Sequence, residues 1–302
     1  MRVDFGKGFR RFFSRDGLGY LFIAPVVLYL ATFLAYPVVY NFVLSFFKSS
    51  YGTITPVGLG NYYRLIVSRG FGQVMLNTVI WTAGNMTIMY ALALIAAVIL
   101  RTIPRGRVVF RVILLLPWVI PGIVAGILWR YMLHPHYGVV NDFLLKLGFI
   151  RSPVLWLADP HTSLASVMLA YIWKVYPYIM VLLMAGLEGI PNEIYEAASV
   201  DGATAWQQFR HVTLPLLGPV TRAIMIIMGV WTFNSFDLTY IMTKGGPLHA
   251  SEVIVYSIYH TAFERHRMGY AAAQAYVLFA FILALTIIQF KFQKRWVLYQ
   301  IV

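Results

Sequence analysis

The chain has 302 residues, 60% of them hydrophobic and only 12% charged, with a mean hydropathy of +0.72. Soluble domains average about 45–50% apolar and about 25% charged residues, so the composition excludes an ordinary soluble protein and implies an integral membrane one. The net charge is +13, and the absence of cysteine excludes disulfides, thiolate nucleophiles and cysteine metal sites. The basic residues sit mostly at the ends of apolar runs, which favours membrane orientation and anionic lipid over nucleic acid as the partner of that charge.

Residues 1–18 carry Arg2, Lys7, Arg10, Arg11 and Arg15 and read as a cytoplasmic N-terminal segment. The apolar run over about 20–47 is too long for a signal-peptide core and has no small-x-small cleavage site. It predicts a first transmembrane helix kept in the mature protein, bent or bounded by Pro25 and Pro37. Residues 48–72 read as a polar loop, with turn signals at Tyr51-Gly52 and Thr55-Pro56. A second run covers about 73–100 and leads into a basic loop with Arg101, Arg105, Arg107 and Arg111. The third run, about 112–133, carries Pro117 and Pro121. A long loop over 134–161 precedes the fourth run, about 162–187. The fifth run is about 219–242, the sixth about 269–290, and a short basic tail ends at 302.

Each of the six runs matches the roughly 20 residues that a bilayer core requires. An even number of spans puts both termini on one side. Lys and Arg number 14 in the segments of that side, including residues 188–222, and 8 in the three opposite loops. The positive-inside bias therefore predicts that both termini and the polar stretch after the fourth run are cytoplasmic.

That stretch, Glu188 to Leu217, is the longest polar break in the apolar sequence. Pro191 suits the first turn of a helix over IYEAASVD, Gly202 ends or bends it, and TAWQQFRHV forms a second amphipathic run up to Pro215. Within it stand Glu196-Ala197-Ala198, then three residues, Gly202, nine residues, Val212, Thr213 and Leu214-Pro215. This spacing resembles the EAA motif of ABC-importer permeases, with Val212 in place of the usual isoleucine. LLLPWVIPG, WKVYPYIMVLLMAGL, TFNSFDLTYIMTKGGP and YAAAQAYVLF extend the resemblance to the sugar permeases of binding-protein-dependent uptake systems.

The resemblance implies an all-α polytopic protein with six transmembrane helices, the type I ABC-importer permease fold. Its residues 19–295 would form the permease domain, with a coupling loop over 188–218 that docks on a separate ATPase. Glu196, Ala197, Ala198, Asp201, Gly202, Leu214 and Pro215 would carry that coupling. The partners it implies are a second, homologous permease, an ABC ATPase dimer and an external substrate-binding protein, with a carbohydrate or sugar derivative as cargo. The chain has no G-x-x-x-x-G-K-[ST] phosphate loop. ATP and Mg are therefore expected on the ATPase, and no cofactor in this chain. The Gly245–Pro247 loop and residues 134–161 are the expected contacts for the binding protein.

Polar groups inside apolar spans are costly and mark cavities. Lys174 and Tyr178 share a face of the fourth span, and Thr232, Asn234, Ser235 and Asp237 interrupt the fifth among aromatic residues. Hydroxyl, amide and aromatic groups suit the hydroxyls and C–H faces of a sugar. In the sugar-permease family, the positions matching Lys174, Val175, Tyr178, Met228, Thr232 and Ser235 line the sugar site. Of these Tyr178 keeps the family residue, whereas Lys174 and Val175 depart from it.

Structural readings stand beside these. Lys174 also fits snorkelling or pairing with Asp237, and Trp118, Trp129 and Trp231 read as packing residues rather than ligand platforms. His134 and His136 offer no third metal ligand and read as loop residues. No catalytic constellation stands out, so no enzymatic role is expected. The alternative to an importer subunit is an ion-gradient-driven secondary transporter of small polar solutes, for which Lys174 and Asp237 are a thin basis.

Overall fold

The computed structural model describes residues 15–50, 52–103 and 105–298. The expected N-terminal segment and tail lie largely outside these residues. The described residues fall into two compact units: 15–64 with 261–277, and 65–260 with 278–298.

The first unit begins with α1, Arg15–Leu30, which passes through a π-helical turn at Ala31–Ala35 into α2, Tyr36–Ser45. None of its most apolar window is buried within the protein. Large side chains such as Phe22, Phe33 and Leu34 are largely exposed. In lipid this is favourable, because a helix satisfies its own backbone groups and leaves only apolar surface outside. Within the stretch 48–72, expected to be a loop, the described residues form two strands and a helix instead. β1, Phe47–Ser50, pairs antiparallel with β2, Thr53–Pro56, and Gly52 at φ +83° turns the hairpin. α3, Gly60–Val67, follows. The buried side chain of Asn61 donates to the carbonyls of Ser45 (2.8 Å) and Phe47 (2.9 Å), and so ties the helix end to the hairpin.

The second unit is built on α4, Arg69–Thr102, packed against α8, Ser163–Glu188. Along α4 the residues Trp81, Met89, Ala93 and Ala97 are fully or almost fully buried. Their spacing of eight, four and four residues makes one stripe of a 3.6-residue helix. The facing helix contributes Val167, Ile179, Met180 and Leu183 to the same core.

The third apolar run is not a continuous span. α5, Arg107–Val119, and α6, Gly122–Met132, meet at 94°. At 1.5 Å per residue they are only about 20 and 16 Å long, so neither alone crosses a hydrocarbon core of about 30 Å. The cause is Pro121. It has no N–H for a helical bond, and it forces Ile120 into extended backbone, here φ −65° and ψ 128°. Among the described residues five helices are long and apolar enough to cross a membrane, and six segments if the bent pair counts as one.

α7, Val139–Lys146, lies within the stretch expected to be the 134–161 loop. The fifth run is α12, Gly218–Phe233, interrupted at residues 234–236 before α13, Asp237–Met242. The segment after it is tied back to α4. Asn77 donates to the carbonyls of His249 (2.9 Å) and Glu252 (3.0 Å), and Thr78 accepts from the backbone N–H of Ile254 at 2.9 Å. α14, Ile254–Tyr259, follows. The last helix, α15, Met268–Leu298, begins in the first unit and ends in the second.

Candidate functional site

Two features of the second unit stand out. One is the polar stretch after α8; the other is a cavity beside the break between α5 and α6.

In the polar stretch, α9 runs over Asn192–Val200 with Pro191 as N-cap and Asp201 as C-cap. Gly202 has φ +79°, and Ala203 N–H donates to Ala198 O at 2.9 Å, which closes the helix end. A left-handed residue after the last helical turn lets the chain reverse while its orphan carbonyls stay bonded. α10, Ala205–Gln208, starts from a capping box: Thr204 and Gln207 exchange bonds between side chain and backbone. A π-helical turn at Phe209–Thr213 and α11, Leu214–Leu216, return the chain to α12.

The motif residues divide by face. Glu196, Ala197, Asp201, Gly202, Leu214 and Pro215 are exposed, while Ala198 is half-buried. Val200 is 88% exposed and Trp206 67% exposed. Both are large apolar side chains exposed on an otherwise polar segment. The opposite face is held by Tyr195. Its hydroxyl receives a bond from Arg101 Nη1 at 2.9 Å and meets Thr213 Oγ1 at 3.0 Å. The Arg101 guanidinium also lies 4.6 Å from the Tyr195 ring centroid, and its Nη2 donates to Asn192 Oδ1 at 3.4 Å. Glu188, at the end of α8, pairs with both Arg107 and Arg111 at 3.2 Å. Three arginines of the basic 101–111 segment thus anchor the ends of the polar stretch. In the sequence they counted only as orientation charge.

Replacing Arg101 with alanine removes the bond to the Tyr195 hydroxyl, the ring contact and the bond to Asn192. Together these are worth about 1–3 kcal/mol. Hydrogen exchange across residues 192–200 is expected to speed up by about tenfold. Unchanged exchange there would show that Arg101 does not hold the helix.

The cavity is about 420 Å³ and is lined by residues of α5, α6, α8, α12 and α13 and by the 234–236 break. Of the expected binding residues, Lys174, Asn234, Ser235 and Asp237 line it, as does Val175. Thr232 and Met228 do not: they are buried in the core, where the Thr232 carbonyl accepts a 3.0 Å bond from the Trp81 indole. Tyr178 is not among the lining residues either. Its ring stacks on Trp118 (4.9 Å, 18°) and leans on Trp231 (5.0 Å, 40°). Trp118 and Trp231 themselves form the wall, contrary to their reading as packing residues. Trp129 is buried and packs edge-on against Trp173, as that reading held. Gly122, Tyr171 and Leu238 also line the cavity. Lone apolar or aromatic residues in apolar runs gave no sign of this.

Lys174 and Asp237 both reach the cavity yet form no ion pair among those of the described residues. Each is placed at one side of the helix break. Lys174 Nζ donates to the carbonyl of Trp118 at 3.3 Å, in the last turn of α5. The Asp237 carboxylate lies against Gly122, the first residue of α6, where any Cβ would collide with it. A cation thus meets the negative end of one half-helix and an anion the positive end of the other. A charge at mid-membrane costs about 3 kcal/mol. A helix end in partly buried geometry returns up to about 2 kcal/mol, so the break offsets most of the cost of both charges.

His134 stacks on Tyr137 at 3.4 Å and accepts from Gly138 N–H through its carbonyl, a local loop role. Among the described residues no group of three or more His, Asp or Glu side chains is placed to hold a metal.

Helices that expose apolar surface, a broken span and a tryptophan-walled cavity with charged groups in its lining at mid-span are features of a membrane transport protein. The family described as binding-protein-dependent transport system inner membrane component matches residues 89–297, and the chain belongs to it. The chain is 36% identical over 274 residues to the trehalose/maltose transport system permease protein MalF of Thermococcus litoralis, covering 89% of this chain and 90% of that one. It is 30% identical over 290 residues to the sn-glycerol-3-phosphate transport system permease protein UgpA of Agrobacterium fabrum, covering 95% and 98%. Its fold matches the solved structure of a bacterial alginate ABC transporter in complex with alginate pentasaccharide-bound periplasmic protein. The TM-score is 0.80 at 21% identity, over 97% of this chain and 98% of that one.

Proposed function

We propose that the chain is one transmembrane half of an ATP-driven importer that moves a carbohydrate or sugar derivative across the membrane. The observation that carries the reading is the exposed face of the motif helix. Val200 and Trp206 are presented on a segment fixed from behind by Arg101, Tyr195 and Thr213. A partly apolar loop left uncovered by the other described residues suits docking on a separate ATPase. The relatives named above support carbohydrates and glycerol phosphate as the range of cargo.

In this reading both termini and the motif loop face the cytoplasm, and a second, homologous permease completes the pathway. An ABC ATPase dimer binds ATP and Mg. A substrate-binding protein delivers the sugar from the opposite face, near Gly245–Pro247 and residues 134–161. The chain itself positions groups and catalyses no reaction. Glu196, Asp201 and the exposed residues around them meet the ATPase, while Lys174, Val175, Asn234, Ser235, Asp237 and the two tryptophans meet the sugar. Closure of the ATPase dimer would push the motif helix. Arg101 and Glu188 would pass that movement to α4, α5 and α8, of which α5 and α8 border the cavity.

The test is reconstitution of this chain with its partner permease, ATPase and binding protein in proteoliposomes. Sugar uptake is expected to require ATP on the side of the motif loop and binding protein on the other. Uptake by this chain alone, driven by a proton or sodium gradient, would instead establish a secondary transporter.

A further inference from the structure

The polar lining of the cavity contains one cation and one anion, so its formal charge sums to zero. Lys174 donates to the Trp118 carbonyl at the closing end of α5, and Asp237 lies against Gly122 at the opening end of α6. The remaining polar side chains, Asn234, Ser235 and Tyr171, are neutral donors and acceptors. Asn234 uses part of its own capacity on the Val230 carbonyl, at 2.8 Å. The walls are the faces of Trp118 and Trp231, held by Tyr178.

We infer that this chain selects an uncharged carbohydrate and discriminates against phosphorylated or acidic sugars of the same size. The inference rests on the reading of the cavity as the sugar site and adds the charge class of the cargo. An anionic group entering the cavity would bring net charge into a lining whose own two charges sum to zero, and would face the Asp237 carboxylate. In a medium of low dielectric, the burial of that uncompensated charge and its repulsion from Asp237 both oppose binding. A neutral sugar meets neither penalty. Its hydroxyls accept from the Lys174 ammonium, which keeps its bond to the Trp118 carbonyl, and donate to Asp237, and its C–H faces lie on the tryptophans. The volume of about 420 Å³ falls within the usual range of small-molecule sites, about 300–1,000 Å³.

The test uses the full complex with its partner permease and ATPase in nanodiscs, without binding protein. The probes are neutral disaccharides, including trehalose and maltose, and the phosphate esters of the same sugars, such as trehalose 6-phosphate. Binding is read from tryptophan fluorescence. The wild-type complex is expected to bind at least one neutral sugar about tenfold or more tightly than its phosphate ester. Asp237→Asn leaves Lys174 unopposed and is expected to move that ratio about tenfold towards the phosphate ester. Lys174→Met is expected to move it further from the ester, and serves alone if Asp237→Asn does not assemble. Equal or tighter binding of the phosphate ester by wild type overturns the inference. So does an unchanged ratio in the variants, or binding by no neutral member of the panel. Trp118→Phe separates the two levels: if the signal for a bound sugar is unaltered, the sugar sits elsewhere and the reading of the cavity itself fails.

Discussion

Replacing Gly202 with valine is expected to lower ATP-driven uptake by at least about tenfold while the protein still inserts in the membrane. Gly202 sits at φ +79° with open space around the position where a Cβ would project. The effect of a side chain there is therefore conformational and not steric. For an ordinary residue the left-handed backbone costs about 1–2 kcal/mol, and more for a β-branched one. That cost falls on the single joint between α9 and α10. The chain can relieve it only by changing the angle at which Glu196 and Ala197 are presented relative to Trp206. Asparagine tolerates the left-handed region, so Gly202→Asn is expected to keep most of the uptake. Uptake by proteoliposomes and co-purification of the ATPase are the two measurements. Near-normal coupling in Gly202→Val would sink the idea that this joint sets the docking geometry. Equal loss in both variants would mean that the site needs the absence of a side chain rather than its backbone conformation.

Tyr178→Ala is expected to reduce uptake by about ten- to a hundredfold and to leave ATPase association intact. The ring lies between Trp118 and Trp231, and each aromatic pair is worth about 0.5–1.5 kcal/mol beyond the area it covers. Removing it frees both walls of the cavity at once, about 1–3 kcal/mol in pair contacts alone. Tyr178→Phe keeps the ring and is expected to transport close to the wild-type rate, because the geometry gives Tyr178 a supporting position behind the lining. A large loss in Tyr178→Phe would return the hydroxyl to direct contact with the sugar. Loss of the ATPase from the complex in Tyr178→Ala would contradict the placement of the site.

What could be read from the residues alone follows from local chemistry. Apolar runs of bilayer length need no partner to be recognised, because lipid imposes the same constraint on each span separately. The motif from Glu196 to Pro215 was legible for a similar reason. A helix, a left-handed glycine and a return to the membrane occupy one continuous stretch, and sequence spacing is their geometry. Pro121 was visible as a disturbance of the third run. Its consequence, two half-helices at 94°, depends on Ile120 taking extended backbone and on neighbours that stabilise the exposed ends.

The cavity was only half legible, since intramembrane polar residues announce themselves by their cost. Lys174, Asn234, Ser235 and Asp237 were found in that way and do line it. Thr232 was drawn in by the same rule although its burial lies in the core, because a hydroxyl's cost does not reveal the direction it faces. Trp118 and Trp231 were passed over because an aromatic ring is cheap in lipid and cheap in a core, so its sequence position carries no signal of a binding wall. The roles of Arg101 with Tyr195, and of Glu188 with Arg107 and Arg111, join positions about 80 to 95 residues apart.

Composition by itself determined that this is a polytopic membrane protein, and the spacing from Glu196 to Pro215 carried the resemblance to the EAA motif of importer permeases. Those properties are set within single segments by lipid and by backbone geometry. Only the tertiary structure decided how Lys174 and Asp237 are used. They are neither a direct pair nor free charges, but counter-charges to the two ends of a helix that Pro121 breaks. Such an arrangement exists only when α5, α6, α8 and α13 meet, because a helix dipole acts on whatever the fold brings to its end.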